Sequence, residues 1–485
     1  MHPLSRRIGE VLELDPGARA IEYDGQWFTW AQLGGLSRQI AAAVQPGTQV
    51  AILLRNTPAH VAAALGVLSA GACVVVINPS RGDERIRADV AELNLPVIIG
   101  TPGDITLLAR PAESTTVVSI DDLDSPPQIR AGAPTSPGPA TVAVAVRMLT
   151  SGTTGPPKRV DLTYDMLAVS VIGTDFATAT AATAVSSSVA IVNAPLVHIG
   201  GVYRVLQCVC EARPFVLLPR FELASWAEAV RRHQPKAVSL VPAALRMVLH
   251  SDLGPDDLAG VRAVTSGTAP LSAVDAEAFT DKFGIPVLTS YAATEFGGGV
   301  AGWTLADHRA HWQSKRGSVG RASLGAQLRV VSDDGTPLEP DQQGLLEVKP
   351  GQLGPGAQWV RTTDLARIDA DGFLWILGRA DQAIIRGGFK VLPDDVRAAL
   401  ESHPAVLGAA VVGRPDERLG DTPVAMVELR AGGSASDAEL TEYLRIRLAP
   451  YEIPSEIAVV ESIPRTPSGK ADLTAVRQHF TGRER

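Results

Sequence analysis

Between the apolar run 142–149 and Arg159 lies a stretch of small, hydroxylated and cationic residues, Thr150-Ser151-Gly152-Thr153-Thr154-Gly155-Pro156-Pro157-Lys158. Gly152 and Gly155 let the backbone turn tightly and aim N–H groups at an anion. Ser151, Thr153 and Thr154 add hydroxyl donors, and Lys158 adds positive charge. Together they suit a polyphosphate. No Gly-Lys-Ser/Thr closes the stretch, so it is not a Walker A loop and implies no P-loop NTPase fold. On composition alone the same residues also fit a plain surface loop. A second glycine-rich segment, Gly297-Gly298-Gly299-Val300-Ala301-Gly302, fits Gly-x-Gly-x-x-Gly. A dinucleotide site needs that motif between a strand and a long helix, with an acid about twenty residues on. No acid stands near 320 and residues 303–308 carry no clear helix pattern, so these glycines read better as a backbone wall.

The stretch from Leu149 to Val160 resembles the phosphate loop of the adenylate-forming (AMP-binding) superfamily, which includes acyl-CoA synthetases, the adenylation domains of peptide synthetases, and luciferases. Arg159 stands where that loop usually has Gly. Other stations follow in family order. Ala194-Pro195-Leu196-Val197-His198 resembles the segment whose His lines the acyl site. Ser266-Gly267-Thr268-Ala269-Pro270-Leu271 resembles the segment against which adenine packs, with Thr268 where a small residue is usual. Tyr291-Ala292-Ala293-Thr294-Glu295 resembles Tyr-Gly-x-Thr-Glu. That likeness implies Tyr291 beside adenine, Thr294 on phosphate and Glu295 on Mg²⁺, a hard cation that takes one or two carboxylates plus substrate phosphates. Ala292 replaces a Gly that borders the acyl tunnel.

Arg361-Thr362-Thr363-Asp364 resembles Arg-Thr-Gly-Asp, whose carboxylate accepts from both ribose hydroxyls. The run from Asp371 to Arg379 resembles the station that sends an arginine to the ribose or α-phosphate, and Asp381 falls at the hinge position. Arg386-Gly387-Gly388-Phe389-Lys390 is similar to the loop of the thiol channel. Pro464-Arg465-Thr466-Pro467-Ser468-Gly469-Lys470 resembles the motif that carries the catalytic lysine.

The resemblance implies ATP-dependent activation of a carboxylic acid to its acyl-adenylate, release of pyrophosphate, and transfer of the acyl group to the thiol of coenzyme A. Positioning and electrostatics dominate such chemistry. Lys470, Thr294 and Glu295 are the expected catalytic residues. The acid pocket is expected from His198, Gly200, Gly201, Ala292, Gly297 and Gly298, and the thiol channel from Gly387, Gly388, Phe389 and Lys390. A medium-to-long aliphatic or an aryl acid is expected. Arg204 reads either as a charged substrate reader or as a surface residue. No carrier or condensation domain is attached, which favours a stand-alone CoA ligase. A carrier-protein phosphopantetheine, an amine acceptor and a non-catalytic adenylate-binding relative are the alternatives. The implied architecture is α/β. Residues 1–379 form a large N-terminal domain of doubly wound sheets plus a small β-barrel, 380–382 a hinge, and 383–485 a smaller mobile α+β domain.

The elements that must position these residues are partly legible on their own. Thr29-Trp30-Ala31-Gln32 has capping-box spacing, so a helix starts there and runs to about Val44. Residues 49–54 read as a strand. Pro58 opens a helix that ends near Gly71. Residues 72–77 and 97–99 read as buried strands, and this rhythm implies a parallel sheet covered on both faces. Residues 110–140 read as surface connection with one short strand at Val117-Val118. Around 318–350, alternating strands and turn signals suggest a small antiparallel sheet or barrel. After Asp381 the pattern gives a helix at 394–402, strands near 405–412 and 423–429, a helix capped at Ser436, a strand at 456–460 and a last helix after Lys470.

Composition sets the outer bounds. The 485 residues, 45% hydrophobic and 20% charged, are ordinary for a globular enzyme of two to four domains. A net charge of −8 with no basic cluster argues against a nucleic-acid partner. Three cysteines make no disulfide framework, and Cys208 and Cys210 lack the further ligands of a zinc site. The first residues lack a signal peptide's apolar core and no run reaches a membrane span, so a cytoplasmic monomer or homodimer is expected.

Overall fold

The computed structural model describes residues 1–132, 143–149, 158–387, 389–416, 418–466 and 469–481. The phosphate-loop residues from Thr150 to Gly155, Gly388 and the Lys390 side chain lie outside that set.

Seven strands form the first sheet, in the order Gln128–Arg130, Thr116–Ser119, Val97–Gly100, Gln49–Leu53, Cys73–Ile77, Val144–Leu149, Arg159–Thr163. The inner five run parallel and each edge strand is antiparallel. Alternation sorts the side chains between two cores. Val50, Ile52, Val74 and Val76 join the helices Pro3–Leu14, Trp30–Ala42 and Pro58–Ser69 on one face. Ala51, Leu53, Cys73, Val75 and Ile77 meet Ile86 of the helix Asp83–Leu93 on the other. Two-sided burial is why these strands read as unbroken apolar runs. The helix starts follow the caps. Thr29 and Gln32 close a capping box, and Thr57 caps a helix with Pro58 in its first turn.

Two strands extend the sequence reading. Residues 110–140 hold a second strand, Gln128–Arg130, where only one was expected. Arg159–Thr163 pairs back on Val144–Leu149 with Leu149 opposite Arg159, so residues 150–158 connect two neighbouring antiparallel strands. The helix Asp83–Leu93 fixes the far end of that connection, because Asp89 Oδ1 accepts from Arg159 Nη2 at 2.5 Å. The departure from the usual Gly is therefore a buttress.

The second sheet orders Ala237–Ser239, Ala263–Ser266, Val287–Ala293, Gly298–Gly302 and Arg321–Ala322, parallel through its first three strands and antiparallel after. Fully buried Trp226 and Phe279 anchor the helices Leu223–His233 and Ala273–Phe283 in its core. Residues 305–311 form a helix after all, but of only seven residues. Gly298 to Gly302 lie in a strand and not in a strand-to-helix turn, so the segment lacks the dinucleotide-binding context.

Gln327–Val331, Gln343–Lys349, Val360–Ile368 and Leu374–Arg379 make a four-stranded antiparallel sheet. Its edge strands do not pair with each other among the described residues, so of the antiparallel sheet or barrel read from the sequence these four strands form the sheet. A last sheet is built around the long pair Val406–Asp416 and Gly420–Leu429, flanked by Glu456–Val460 and Ile384–Arg386. Apolar clusters cover both its faces. Among the described residues no helix is long and apolar enough to cross a membrane. Cys73, Cys208 and Cys210 are buried free thiols.

Candidate active site

The second and third sheets converge on one point. Val287–Ala293 carries Tyr291, and Val360–Ile368 carries Asp364 directly opposite Arg379 of the next strand. The Tyr291 hydroxyl donates to Asp364 Oδ2. Burial raises the Asp364 pKa, while the Tyr291 hydrogen bond and the Arg379 charge oppose that rise. Burial and then the Asp364 charge push Tyr291 upward. Thr363 gives Arg379 a partner that glycine lacks: its Oγ1 accepts from Nη2 at 2.7 Å. The Arg379 guanidinium also grips the Asp381 carboxylate at 2.9 and 2.7 Å.

Lys470 reaches this cluster from the C-terminal unit. Its carbonyl accepts from Thr466 N at 2.7 Å, and Gly469 N donates to Thr466 O at 2.8 Å. The tight turn needs the positive φ of Gly469, +80°. A Cβ on Gly469 would lie 3.7 Å from Val241, so the turn sits against the large unit. Burial lowers the Lys470 pKa and the Arg379 charge lowers it further, against the pull of Glu295 and Asp364. The Lys470 charge in turn acts on His198, whose pKa falls to about 4 chiefly through burial. The imidazole is neutral at pH 7. Its Nε2 is buried with no hydrogen-bond partner among the described residues.

Glu295 is exposed, one residue after Thr294 in the turn Thr294–Phe296, and buried Phe296 pins that turn. Beside the cluster, the Ser266 hydroxyl is buried and unpartnered among the described residues. Gly267 lies so close to Ser290 that a Cβ would meet its Oγ at 2.8 Å. Thr268 holds φ +70°, a left-handed conformation strained for a β-branched residue. Ala269 is half-buried and Ala292 exposed. Lys158 is exposed at the end of the 150–158 connection.

The glycines divide. Gly201 packs on the Pro195 carbonyl, which a Cβ would approach to 2.2 Å, so it serves packing and not pocket space. Gly297 and Gly298, at φ +76° and +134°, are backed by Met166 and Tyr203. A Cβ on either would come within about 3 Å of those side chains, so their bareness seats neighbours and does not open the pocket. Gly200 and Gly299 face open space. Sequence reading grouped Gly299 with its two neighbours in one backbone wall, and it missed Asn56. The Asn56 amide donates to the carbonyls of Ala194 and Leu218 at 3.1 and 3.2 Å and accepts from Leu196 N at 2.7 Å. It staples the segment that ends in His198, and its one local signal was its place between a strand and a capped helix. Of the residues expected for the thiol channel, the exposed Phe389 ring stacks on Tyr451 at 4.6 Å, and Gly387 N donates to Leu419 O.

These features can hold a nucleotide: a carboxylate opposite an arginine, an aromatic ring beside them, and a lysine arriving over a neutral histidine. Residues 10–356 match the family model of AMP-binding enzymes, and residues 395–470 match that of the AMP-binding enzyme C-terminal domain. A feruloyl-CoA synthase of an Amycolatopsis species is 30% identical over 492 residues, covering 96% of this chain and 97% of that protein. The indoleacetate–CoA ligase of Aromatoleum aromaticum is 28% identical, with 98% of each chain covered. The o-succinylbenzoate coenzyme A synthetase of Bacillus subtilis, solved with ATP and magnesium, superposes with a TM-score of 0.79 at 25% identity, covering 98% of this chain and 99% of that one. With more than two thirds of its length matched by one model, and the remainder largely by its companion, the chain belongs to the AMP-binding enzyme family.

Proposed function

We propose that this protein joins a carboxylic acid to ATP, releases pyrophosphate, and passes the acyl group from the adenylate to the thiol of coenzyme A. It is an AMP-forming acid–thiol ligase, as its relatives are. One observation carries the reading: Tyr291, Asp364 and Arg379 meet where two sheets converge, and burial and their charges act there on Lys470 of the C-terminal unit.

In this reading Asp364 holds the ribose hydroxyls, Tyr291 flanks adenine, and the backbone from Ser266 to Ala269 supports it. Arg379 steers the α-phosphate side. Residues 150–155 and Lys158 hold the β- and γ-phosphates. Thr294 bonds phosphate, and Glu295 is the carboxylate to hold Mg²⁺, which would neutralise phosphate charge. The acid's carboxylate attacks the α-phosphorus, and Lys470 stabilises the negative charge that grows on the oxygens there. Neutral His198 lines the acid without adding a competing cation. The C-terminal unit then turns about Asp381, taking Lys470 away and bringing Gly387, Gly388, Phe389 and Lys390 to the thiol's path. The units on either side of 380–382 move as bodies.

Acid-dependent exchange of labelled pyrophosphate into ATP across a panel of acids tests the first half. Product masses with CoA, a carrier protein or an amine test the second. Exchange with several acids and a thioester only with CoA is expected. Amide or carrier-bound product in place of the thioester would overturn the acceptor.

A further inference from the structure

The helix Ile199–Cys210 begins at His198, which feels the Lys470 charge. Its inner face, with Val205, Leu206, Val209 and Cys210, is sealed in the core. Gly200 and Arg204 lie four residues apart on the other face, hence stacked one turn above the other. Tyr203, next to Arg204, donates its hydroxyl to the Gly297 carbonyl. That bond sets this turn of the helix against the strand Gly298–Gly302, which pairs with Tyr291, Ala292 and Ala293. Gly200, two residues after His198, leaves open space beside it, and Arg204 stands one helical turn further on the same face.

Arg204 is not placed like a surface arginine. The residue is half-buried, and its Nε is out of water with no hydrogen-bond partner among the described residues. Its Nη1 donates to Gln207 Oε1 at 2.9 Å, a neutral acceptor. Gln207 passes on to Glu211 at 3.0 Å, and Glu211 is itself ion-paired with Arg213 at 2.8 Å. The neighbouring carboxylate is thus spent elsewhere, and no ion pair joins Arg204 among the described residues. A half-buried guanidinium whose one hydrogen-bond partner among the described residues is a neutral amide suits an anion.

We propose that Arg204 reads a second anionic group at the far end of the acid, so that the substrate class is an acid carrying two anionic groups. Six residues separate His198 from Arg204, about 9 Å along the axis, and a helical side chain leans back toward the N-terminus. The second charge then sits within roughly 9 Å of the reacting carboxylate. The assignment rests on the adenylation reading and names the substrate of that same site.

The test is pyrophosphate exchange with glutarate, adipate, pimelate and suberate, each against its monomethyl ester, in the native protein, Arg204→Gln and Arg204→Lys. The native protein should favour at least one dianion over its ester by roughly tenfold or more in kcat/KM, the scale of a charge-assisted hydrogen bond. Arg204→Gln should lose that preference through KM while keeping ester exchange within about twofold, which also shows that it folds; Arg204→Lys should fall between. Equal use of dianions and esters by the native protein, or an unchanged preference in Arg204→Gln, overturns the role of Arg204 and leaves adenylation standing. Exchange with no acid at all, in any of the three proteins or across the wider panel, overturns both.

Discussion

Thr268 sits in left-handed backbone at the edge of the nucleotide site, where the related segment carries a small residue. Holding a β-branched residue there costs about 1–2 kcal/mol. Thr268→Gly relieves that strain but frees the unfolded chain. The net expectation is a gain of roughly 1 kcal/mol, seen as a higher unfolding midpoint in denaturant. A lower midpoint would mean that the Thr268 side chain holds the turn by contacts of its own. Lys470 gives a second test at this scale. Its pKa lies below the ordinary lysine value of 10.5, through burial and then Arg379, and in the proposed mechanism adenylation needs the charged form. The alkaline limb of kcat/KM for pyrophosphate exchange should therefore fall below pH 10.5, and the residual activity of Lys470→Ala should lack that limb. Residue types were the most legible part of this chain. Tyr291, Asp364, Arg379 and Lys470 stand in short runs that resemble the stations of a known family, and the fold gathers Tyr291, Asp364 and Arg379. Which side of a glycine is bare does not show in the letters. Gly201 and Gly298 face Pro195 and Tyr203 only because distant elements are packed there.

At the scale of elements, the caps were readable and the long-range pairings were not. Thr29, Thr57 and Ser436 mark helix starts because a cap's partner lies three residues away. Arg159–Thr163 escaped notice because its apolar residues are few and its partner strand sets its register. The Arg246 cluster was equally hidden. Arg246, on the helix Pro242–Leu249, binds Asp275 at 2.7 Å and reaches Glu401 of the C-terminal unit at 2.9 Å. Glu401 also holds Arg397 at 2.8 Å, and its side chain is only 6% exposed. This buried junction latches the helix Pro393–Glu401 onto the large unit, and in the proposed mechanism that orientation is the one that delivers Lys470. Removing one partner of a buried ion pair is costly, but Arg246 keeps Asp275 and Arg397 keeps Asp394. Glu401→Gln should slow adenylation about five- to tenfold while leaving thioester formation from supplied acyl-adenylate undiminished. Equal slowing of both would mean that the junction only stabilises the fold.

For the whole molecule, the proposed function requires two arrangements of one chain, and we assign this structure to the adenylate-forming one because the Lys470 charge acts on Arg379 and Asp364 in it. The two-sided first sheet was readable from apolar rhythm, and the turn signals around 318–350 announced an antiparallel sheet without settling whether its edges meet. The turn Ala380–Gln382 joins the units, and Asp381 is held there by Arg379. Asp381→Pro fixes φ at the joint. It should spare adenylation and stall thioester formation, whereas Asp381→Ala, which removes only the ion pair, should pass both steps. Normal thioester formation by Asp381→Pro would place the joint elsewhere. The most direct test of the central claim is Lys470→Ala assayed in both half-reactions. Acid-dependent pyrophosphate exchange should fall by roughly 10²–10³-fold or more, while conversion of a supplied acyl-adenylate to its CoA thioester persists. Equal loss of both, or undiminished exchange, would contradict the role of Lys470 and the account built around it.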